Sequence, residues 1–283
     1  MVNLSTQNTE AKHRELRRKL NSFLSAENSS RAKLRKTLHP MREGGWPVYL
    51  FGGLLRDLMW NDSPRDVDLV VADEHMESIL QWLSPKISHR NRFGGIKVHE
   101  NGWDFDIWSV SQTWAFQQSS HWPSKSFADL PSTTFLNVEA IAMELWPSSN
   151  ERCIYEKGFS SAFEQRTVEI NYADNPYPDF SIARAIFIAA KLRFNIGTEL
   201  TKYIDKHASM VSVSEIAKIQ RKHYKEGLLS EAYLARLLDQ VRWSADWQTA
   251  TRLDQLSQNT HFKQANPYQL ELWPRGYQTN LCP

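Results

Sequence analysis

One short stretch of the chain holds two carboxylates and two glycines at a spacing that could serve catalysis. Asp66 and Asp68 flank Val67 at the start of an apolar run, and Gly52-Gly53 follow an earlier apolar run. Side chains two apart on a strand share a face and lie roughly 6–7 Å apart, so both carboxylates would point the same way. Carboxylates that close raise each other's pKa or require a cation. Two Mg²⁺ ions about 3.5–4 Å apart, for which Mn²⁺ could substitute, would satisfy both and would serve phosphoryl transfer.

The elements that would position these groups are a strand, a helix and a second strand. The apolar run Val48–Phe51 is typical of a buried strand, and apolar residues from Leu54 to Met59 at helical spacing predict a short helix after the glycines. Glycines before a helix leave backbone N–H groups open to a phosphate, and Arg56 within that helix suits a phosphate oxygen. The plainer alternatives are a simple glycine turn, a surface acid pair and a solvated arginine.

The ordered combination resembles the head domain shared by poly(A) polymerases and CCA-adding tRNA nucleotidyltransferases, within the DNA polymerase β-like superfamily. Those enzymes carry a Gly-Gly-x-x-Arg-Asp helix, a short loop that often holds a basic residue, and an Asp-x-Asp strand. The matching residues here are Gly52, Gly53, Arg56, Asp57, Arg65, Asp66 and Asp68. The resemblance implies an α/β head with a mixed sheet, followed by an all-helical neck and body. It also implies that the two strand aspartates bind both metals, while the glycines and Arg56, with Arg65 in reserve, cradle a nucleoside triphosphate.

A β-hairpin predicted from Phe93 to Ser109 supplies a candidate for a third acid. Asn101-Gly102 is a strong turn signal between two alternating segments. On the return strand, Asp104 and Asp106 would share the face opposite the apolar side chains. The superfamily places a third carboxylate on such a strand, and the resemblance assigns Asp106 to the metal that activates the acceptor hydroxyl. Asp104 and a merely structural surface pair are the alternatives.

A second recognisable stretch is Pro176–Ile196, whose apolar residues run round a helix and predict an element buried on most sides. Arg184 and Lys191, two turns apart on one stripe, would need partners there, either a phosphate or carboxylates of the protein. The stretch resembles the neck helix of the same family, which makes both residues candidates for nucleotide binding. The family's Glu-Asp-x-x-Arg template, which pairs with the incoming base, is missing, because Ser181 occupies the place of its arginine.

The 283 residues divide, by this interpretation, into three parts. Residues 1–45 form a basic helical segment, residues 46–175 the nucleotidyltransferase head, and residues 176–283 the helical neck and body with an irregular tail. Within the head, Thr133–Leu145 is predicted to be one strand of the sheet. The basic helices could hold a nucleic-acid backbone, or they could present a solvated face.

Composition sets modest bounds on the class of protein. The hydrophobic content of 41% is adequate for a core, and the formal net charge of +2 indicates no partner by itself. No apolar run approaches bilayer length, and the N-terminus lacks the apolar core of a signal peptide. Two cysteines do not make a disulfide framework. These features predict a cytoplasmic protein without a membrane partner.

The function predicted from the resemblance is metal-dependent transfer of a nucleotide from an NTP to an acceptor hydroxyl, with the 3′ end of an RNA, such as a tRNA, as the acceptor. One alternative is a nucleotidyltransferase that acts as a toxin or defence enzyme and modifies tRNA, protein or a small molecule. The other alternative is a catalytically silent module that binds a nucleotide or RNA.

Overall fold

A mixed seven-stranded sheet is the frame of the head. Its strands are β1 (Val48–Phe51), β2 (Asp66–Val71), β3 (Ile87–Arg90), β4 (Ile96–Glu100), β5 (Trp103–Ser109), β6 (Ile141–Glu144) and β7 (Ile154–Glu156). The order across the sheet is β3-β4-β5-β2-β1-β6-β7, and only the β2–β5 pair is parallel. These elements come from a computed structural model that describes residues 4–64, 66–91, 94–119, 122, 124–174, 177–208, 211–224 and 229–253.

Helices cover one face of this sheet and continue beyond it. In the described residues they are α1 (Leu4–Ser25), α2 (Ser29–Glu43), α3 (Gly53–Met59), α4 (Met76–Leu83), α5 (Trp114–Gln118), α6 (Phe159–Gln165), α7 (Pro178–Leu192), α8 (Thr198–Ala208), α9 (Val213–His223) and α10 (Glu231–Asp246). A short parallel pair, β8 (Thr167–Val168) and β9 (Asn195–Ile196), lies between α6 and α8 along the chain. The predicted fold, an α/β head followed by helices, is confirmed.

The main core lies between the sheet and the helices α1 to α4. Alternate residues of the central strands point to this side, among them Val67 and Leu69 of β2 and Phe105 and Ile107 of β5, none more than 2% exposed. Leucines of α1 and α2 belong to the same apolar cluster. Burial of each such side chain contributes roughly 1.5–3 kcal/mol to folding. The core side chains of β2 and β5 therefore leave the alternate residues on the opposite side of the sheet, where the aspartates of these strands lie beside a smaller apolar cluster that includes Val70 and Trp108.

The predicted hairpin is confirmed, with a turn that determines its register. Asn101 and Gly102 have φ values of 56° and 81°, as a two-residue turn between β4 and β5 requires. This turn pairs Lys97 with Asp106 and His99 with Asp104 across the two strands.

The prediction of one strand over Thr133–Leu145 is wrong in its first half. Only Ile141–Glu144 forms a strand, and 3₁₀ turns occupy Leu130–Thr133 and Asn137–Glu139. Asn137 explains the difference, because its side chain donates to the Thr167 carbonyl (3.1 Å) and accepts from the Glu169 N–H (2.9 Å). These bonds hold the backbone away from the sheet until residue 141.

The neck helix α7 organises a second apolar core with α8, α9 and α10. Ten of its residues are buried, which confirms the predicted burial on most sides. Ser212 and Ser230 cap α9 and α10 by accepting hydrogen bonds from the N–H groups of Glu215 and Tyr233. Within the described part of the chain, no helix has both the length and the apolarity that a membrane crossing would need.

Candidate active site

Four carboxylates stand in two rows on the polar face of the sheet. Because β2 and β5 are parallel neighbours, Asp66 lies beside Asp104 and Asp68 lies beside Asp106. Residues two apart on each strand share this face, and the intervening residues are in the core. The fold therefore brings together the three carboxylates predicted from the sequence, and it adds Asp104 as a neighbour of Asp66.

The two candidates for a third acid differ in their surroundings. The Asp106 side chain is 16% exposed, lies 3.5 Å from the Lys97 ammonium and lines a cavity together with Asp68. The Asp104 side chain is 44% exposed and lies 2.8 Å from Nδ1 of His99. Asp106 is therefore the better placed of the two to share a cation with Asp68.

Burial and neighbouring carboxylates disfavour the charged forms of two acids on this face. Burial, and then the charges of Asp66 and Asp106, raise the pKa of Asp68 well above its ordinary value. Burial also raises the pKa of Asp106 to about 6, although the Lys97 ammonium opposes the shift. Carboxylates in this condition are stabilised by a cation.

A divalent cation with oxygen ligands fits this donor set. Mg²⁺ is commonly bound through one or two carboxylates, with substrate phosphates and waters completing the shell. Among the described residues, no group of three acidic, histidine or cysteine side chains already surrounds one metal position. Asp68 and Asp106 supply the two carboxylates that such a site needs, and a triphosphate would supply the remaining oxygens.

The predicted phosphate-binding glycines lie next to these acids. Gly52 has a φ of 64°, a conformation that residues with a side chain rarely adopt, and it turns the chain from β1 into α3. Its N–H donates to the Ile141 carbonyl (3.1 Å) and is therefore already engaged. Gly52 and Gly53 both line the cavity that Asp68 and Asp106 line.

The predicted phosphate-binding cations are held by carboxylates of the protein. Arg56 donates to Asp57 (2.9 Å) and to Glu139, and Arg184 donates to both oxygens of Glu139 (3.1 and 2.6 Å). Lys191 lies 3.1 Å from Asp57 and 2.9 Å from a third carboxylate, that of Asp62. Of the two kinds of partner expected for Arg184 and Lys191, the folded chain supplies the carboxylates.

This cluster of three cations and three carboxylates, here called the head–neck cluster, joins α3 to α7. Burial would raise the pKa of Glu139, but Arg184 and Arg56 outweigh it and lower that pKa below its ordinary value. Arg184 lines the cavity, whereas neither Arg56 nor Lys191 does. Arg65, the reserve candidate, lies outside the described residues.

Glu139 is the functional candidate that the sequence interpretation missed. It is 6% exposed and lies on the cavity wall at the end of a 3₁₀ turn. One signal pointed to it. Buried arginines need carboxylates, and Glu139 is an acid directly before the apolar run Ala140–Met143.

The cavity has a volume of about 510 Å³ and is mainly apolar, with the acids and Arg184 among its polar residues. Its aromatic residues are Phe51, Trp108, Trp114, Phe135, Tyr172, Tyr177 and Phe180. Ser181 is also among the lining residues, and its buried hydroxyl has no hydrogen-bond partner in the described part of the chain. A site of this size and lining suits a flat heterocycle attached to a charged group.

Comparison with known proteins rests on structure. Sequence comparison finds no matching family model and no similar curated protein. A solved CCA-adding enzyme with ATP superimposes with a TM-score of 0.57 at 17% identity, over 82% of this chain and 54% of that one. The chain has the fold of the CCA-adding enzymes. It spans about half the length of that enzyme.

Further structures with this fold agree. The CCA-adding enzyme of Thermotoga maritima, complexed with tRNA, gives a TM-score of 0.53 at 15% identity, over 82% of this chain and 62% of that one. An apo CCA-adding enzyme gives 0.54 at 14% identity, over 82% and 61%. The CCA-adding fold was implied by the Gly-Gly and Asp-x-Asp motifs, and this expectation is confirmed.

Proposed function

We propose that the chain is a metal-dependent nucleotidyltransferase that transfers a nucleoside monophosphate from an NTP to the 3′-hydroxyl of an RNA. The parallel register of β2 and β5 carries the proposal, because it brings Asp68 and Asp106 side by side on the wall of the cavity. The attacking oxygen would bond to the α-phosphorus as the bond to the β-phosphate breaks, and pyrophosphate would leave.

The proposed roles follow from position. Asp66 and Asp68 would hold two divalent cations, Mg²⁺ or Mn²⁺, and Asp106 would share the cation nearer the acceptor hydroxyl. When bound, such ions lower the pKa of the hydroxyl and offset the charge of the phosphates. Gly52 and Gly53 would allow the triphosphate to approach the backbone closely, since no Cβ intervenes. The aromatic wall of the cavity would stack on the base.

RNA as the acceptor is supported by the tRNA complex of one enzyme with the same fold. Exposed cations on a helix that contacts the cavity wall also support it. Lys218 and Lys222 are exposed on α9, and the ring of His223 at the end of α9 lies 5.2 Å from that of Phe180 on the cavity wall. Lysines at this position could hold the phosphates of an entering strand.

The basic segment before the head gives less support. Several of its cations are engaged within the protein, as Arg17 is with Glu10 and Glu151, and Lys19 with Glu15. Arg35 donates to two backbone carbonyls that precede α2. The contribution of residues 1–45 to RNA binding stays a prediction.

The proposal is tested by incubating the purified chain with each α-labelled NTP, Mg²⁺ and either total RNA or a tRNA lacking its 3′-terminal CCA. We expect label to enter RNA with the wild type and not with Asp68→Asn. Label in protein or in a small molecule would replace RNA with another acceptor. Absence of both transfer and NTP binding would overturn the proposal.

A further inference from the structure

Glu139 lies where the head, the neck and the cavity meet. It follows Val138 in the last 3₁₀ turn before β6, and its carboxylate receives guanidinium groups from α3 and from α7. It also lines the cavity with Arg184. An ion pair that only joined two elements would not need to line a cavity.

The geometry of the pair gives Arg184 one orientation. Its Nε and Nη2 donate to the two carboxylate oxygens of Glu139, a bidentate arrangement that fixes the guanidinium plane. Its Nη1 donates to no described residue. An arginine held in this way has donors left for an oxygen of a ligand, and it loses little side-chain freedom when the ligand binds.

The charge of the head–neck cluster also indicates that Arg184 can bind an oxygen of a ligand. Three cations and three carboxylates balance, so the cluster needs no further ion to be stable. A phosphate or a base carbonyl can therefore bind Arg184 without taking it from Glu139.

We propose that Glu139 is a positioning residue of the nucleotide site, which orients Arg184 on the cavity wall toward an oxygen acceptor of the bound nucleotide. Arg56 also holds Glu139 in place, because it donates a hydrogen bond to this carboxylate from the helix that starts at the glycine turn. The proposal rests on the proposed function, since it takes the cavity as the site of an NTP.

Glu139→Gln tests it in the full-length chain. The amide keeps the size of the side chain, but only its one oxygen can accept a hydrogen bond. Arg184 therefore loses its bidentate partner. We expect the dissociation constant and KM for Mg·NTP to rise by about tenfold to a hundredfold, with a smaller change in kcat. Glu139→Asp, which keeps the charge but shortens the reach, should also raise KM and serves if the glutamine variant does not fold.

Glu144→Gln is the matched control. Glu144 is equally buried at 6% exposure and accepts hydrogen bonds from the backbone of Ser148 and Cys153, outside the cavity. We expect it to lower the melting temperature without changing KM. A Glu139→Gln variant that behaves like this control would show that Glu139 is merely structural and would overturn the proposal.

A double-mutant cycle with Arg184→Met tests whether Glu139 affects NTP binding through Arg184. If Glu139 acts through Arg184, Glu139→Gln should add little to the NTP-binding defect of Arg184→Met. Fully additive defects would overturn the proposal. Binding of tripolyphosphate and of the nucleoside, each with and without Arg184, would distinguish a phosphate oxygen from a base carbonyl as the acceptor.

The binding measurements separate this proposal from the proposed function, because equilibrium titration with NTP needs no RNA acceptor. A wild type that binds NTP but labels no acceptor would leave the Glu139 comparison valid. A wild type that transfers nucleotides while Glu139→Gln keeps its KM would contradict the positioning role alone.

Discussion

Asp68 and Asp106 are held in surroundings that disfavour the charge their proposed role requires. Burial and neighbouring carboxylates raise both pKa values in the metal-free protein. A bound cation reverses the effect, so metal binding should release protons and strengthen as the pH rises. These surroundings destabilise the charged carboxylates of the metal-free protein, and a cation bound in the proposed site would offset that effect.

Removal of one strand aspartate should abolish transfer and spare the fold. We expect Asp66→Asn or Asp68→Asn to lower nucleotide transfer by orders of magnitude, because each removes an oxygen ligand of the proposed metals. Relief of like-charge repulsion should keep the melting temperature near that of the wild type. Mg²⁺ should raise the melting temperature of the wild type and not of the double variant. Full activity in either single variant would contradict the site.

The hairpin acids should rank in a definite order. We expect Asp106→Asn to lower kcat while NTP binding stays nearly intact, because Asp106 would act on the acceptor side. Asp104→Asn should do much less, since this more exposed carboxylate pairs with His99. Single-turnover rates and NTP titrations for both variants make the comparison, and the reverse order would move the third acid to Asp104.

At the scale of elements, ion pairs attach the neck helix to the head. Lys191 of α7 lies between the carboxylates of Asp57 and Asp62, with 12% of its side chain exposed. Asp57 belongs to α3, which also carries Arg56. Because α3 follows the glycine turn, the attachment of α7 and the shape of the nucleotide site depend on the same few residues.

Lys191→Met should destabilise the protein by about 2–3 kcal/mol, because it leaves Asp62 without its cation and the buried Asp57 with Arg56 alone. The matched control is Lys202→Met, since Lys202 is 41% exposed and pairs with an exposed glutamate, a contact worth about 0.5 kcal/mol. Urea unfolding of both variants gives the comparison. Similar losses would contradict the structural role of Lys191. Lower NTP affinity without loss of stability would instead support the predicted contact with phosphate.

At the scale of the whole molecule, two groups of carboxylates impose opposite pH dependences. Asp57 and Glu139 have lowered pKa values, so their stabilisation is present above the ordinary values of 3.8 and 4.5 and is lost as the pH falls. Asp106 has a pKa raised to about 6, so its stabilisation is fully present below the ordinary value of 3.8 and is lost as the pH rises from there to about 6.

The metal-free protein should therefore be most stable near pH 4.5, and it should lose stability as the pH rises from there to about 6. Melting temperatures measured in EDTA from pH 4 to pH 8 would show the maximum. Mg²⁺ should flatten the decline between pH 4.5 and pH 6, and Asp106→Asn should do so without metal. A melting temperature that rises steadily to pH 8 in EDTA would contradict this account.

The base chosen by the enzyme should not follow the order C, C and then A. A polar site built to pair with one base edge rejects other bases strongly, because its buried groups would be left unpaired. Here Ser181 occupies the place of the family's template arginine, and a serine hydroxyl cannot supply the several donors of a guanidinium. We expect either one base selected by other contacts or weak discrimination among several.

Base selectivity can be measured with a tRNA that lacks CCA. Its 3′ ends are sequenced after incubation with all four NTPs. Separate reactions with single NTPs are the control for weak discrimination. Faithful addition of C, C and A would refute the prediction and would indicate the housekeeping role.

The elements and the candidate acids were predictable because their signals are local. A strand that ends in Gly-Gly, an Asp-x-Asp at a strand start and an Asn-Gly turn each depend on neighbouring residues, and each formed where the sequence indicated. The failed strand over Thr133–Leu145 depended on Asn137, whose partners lie about thirty residues away.

Only the tertiary structure decided which groups meet. The parallel pairing of β2 with β5 makes Asp106 a neighbour of Asp68, and no local pattern specifies that pairing. The partners of Arg56, Arg184 and Lys191 were likewise undetermined, since a phosphate or a carboxylate would satisfy a buried cation equally. Glu139 reaches Arg56 across 83 residues and Arg184 across 45. The sequence determined which chemistry the chain carries, and long-range packing decided which charges are left for the substrate.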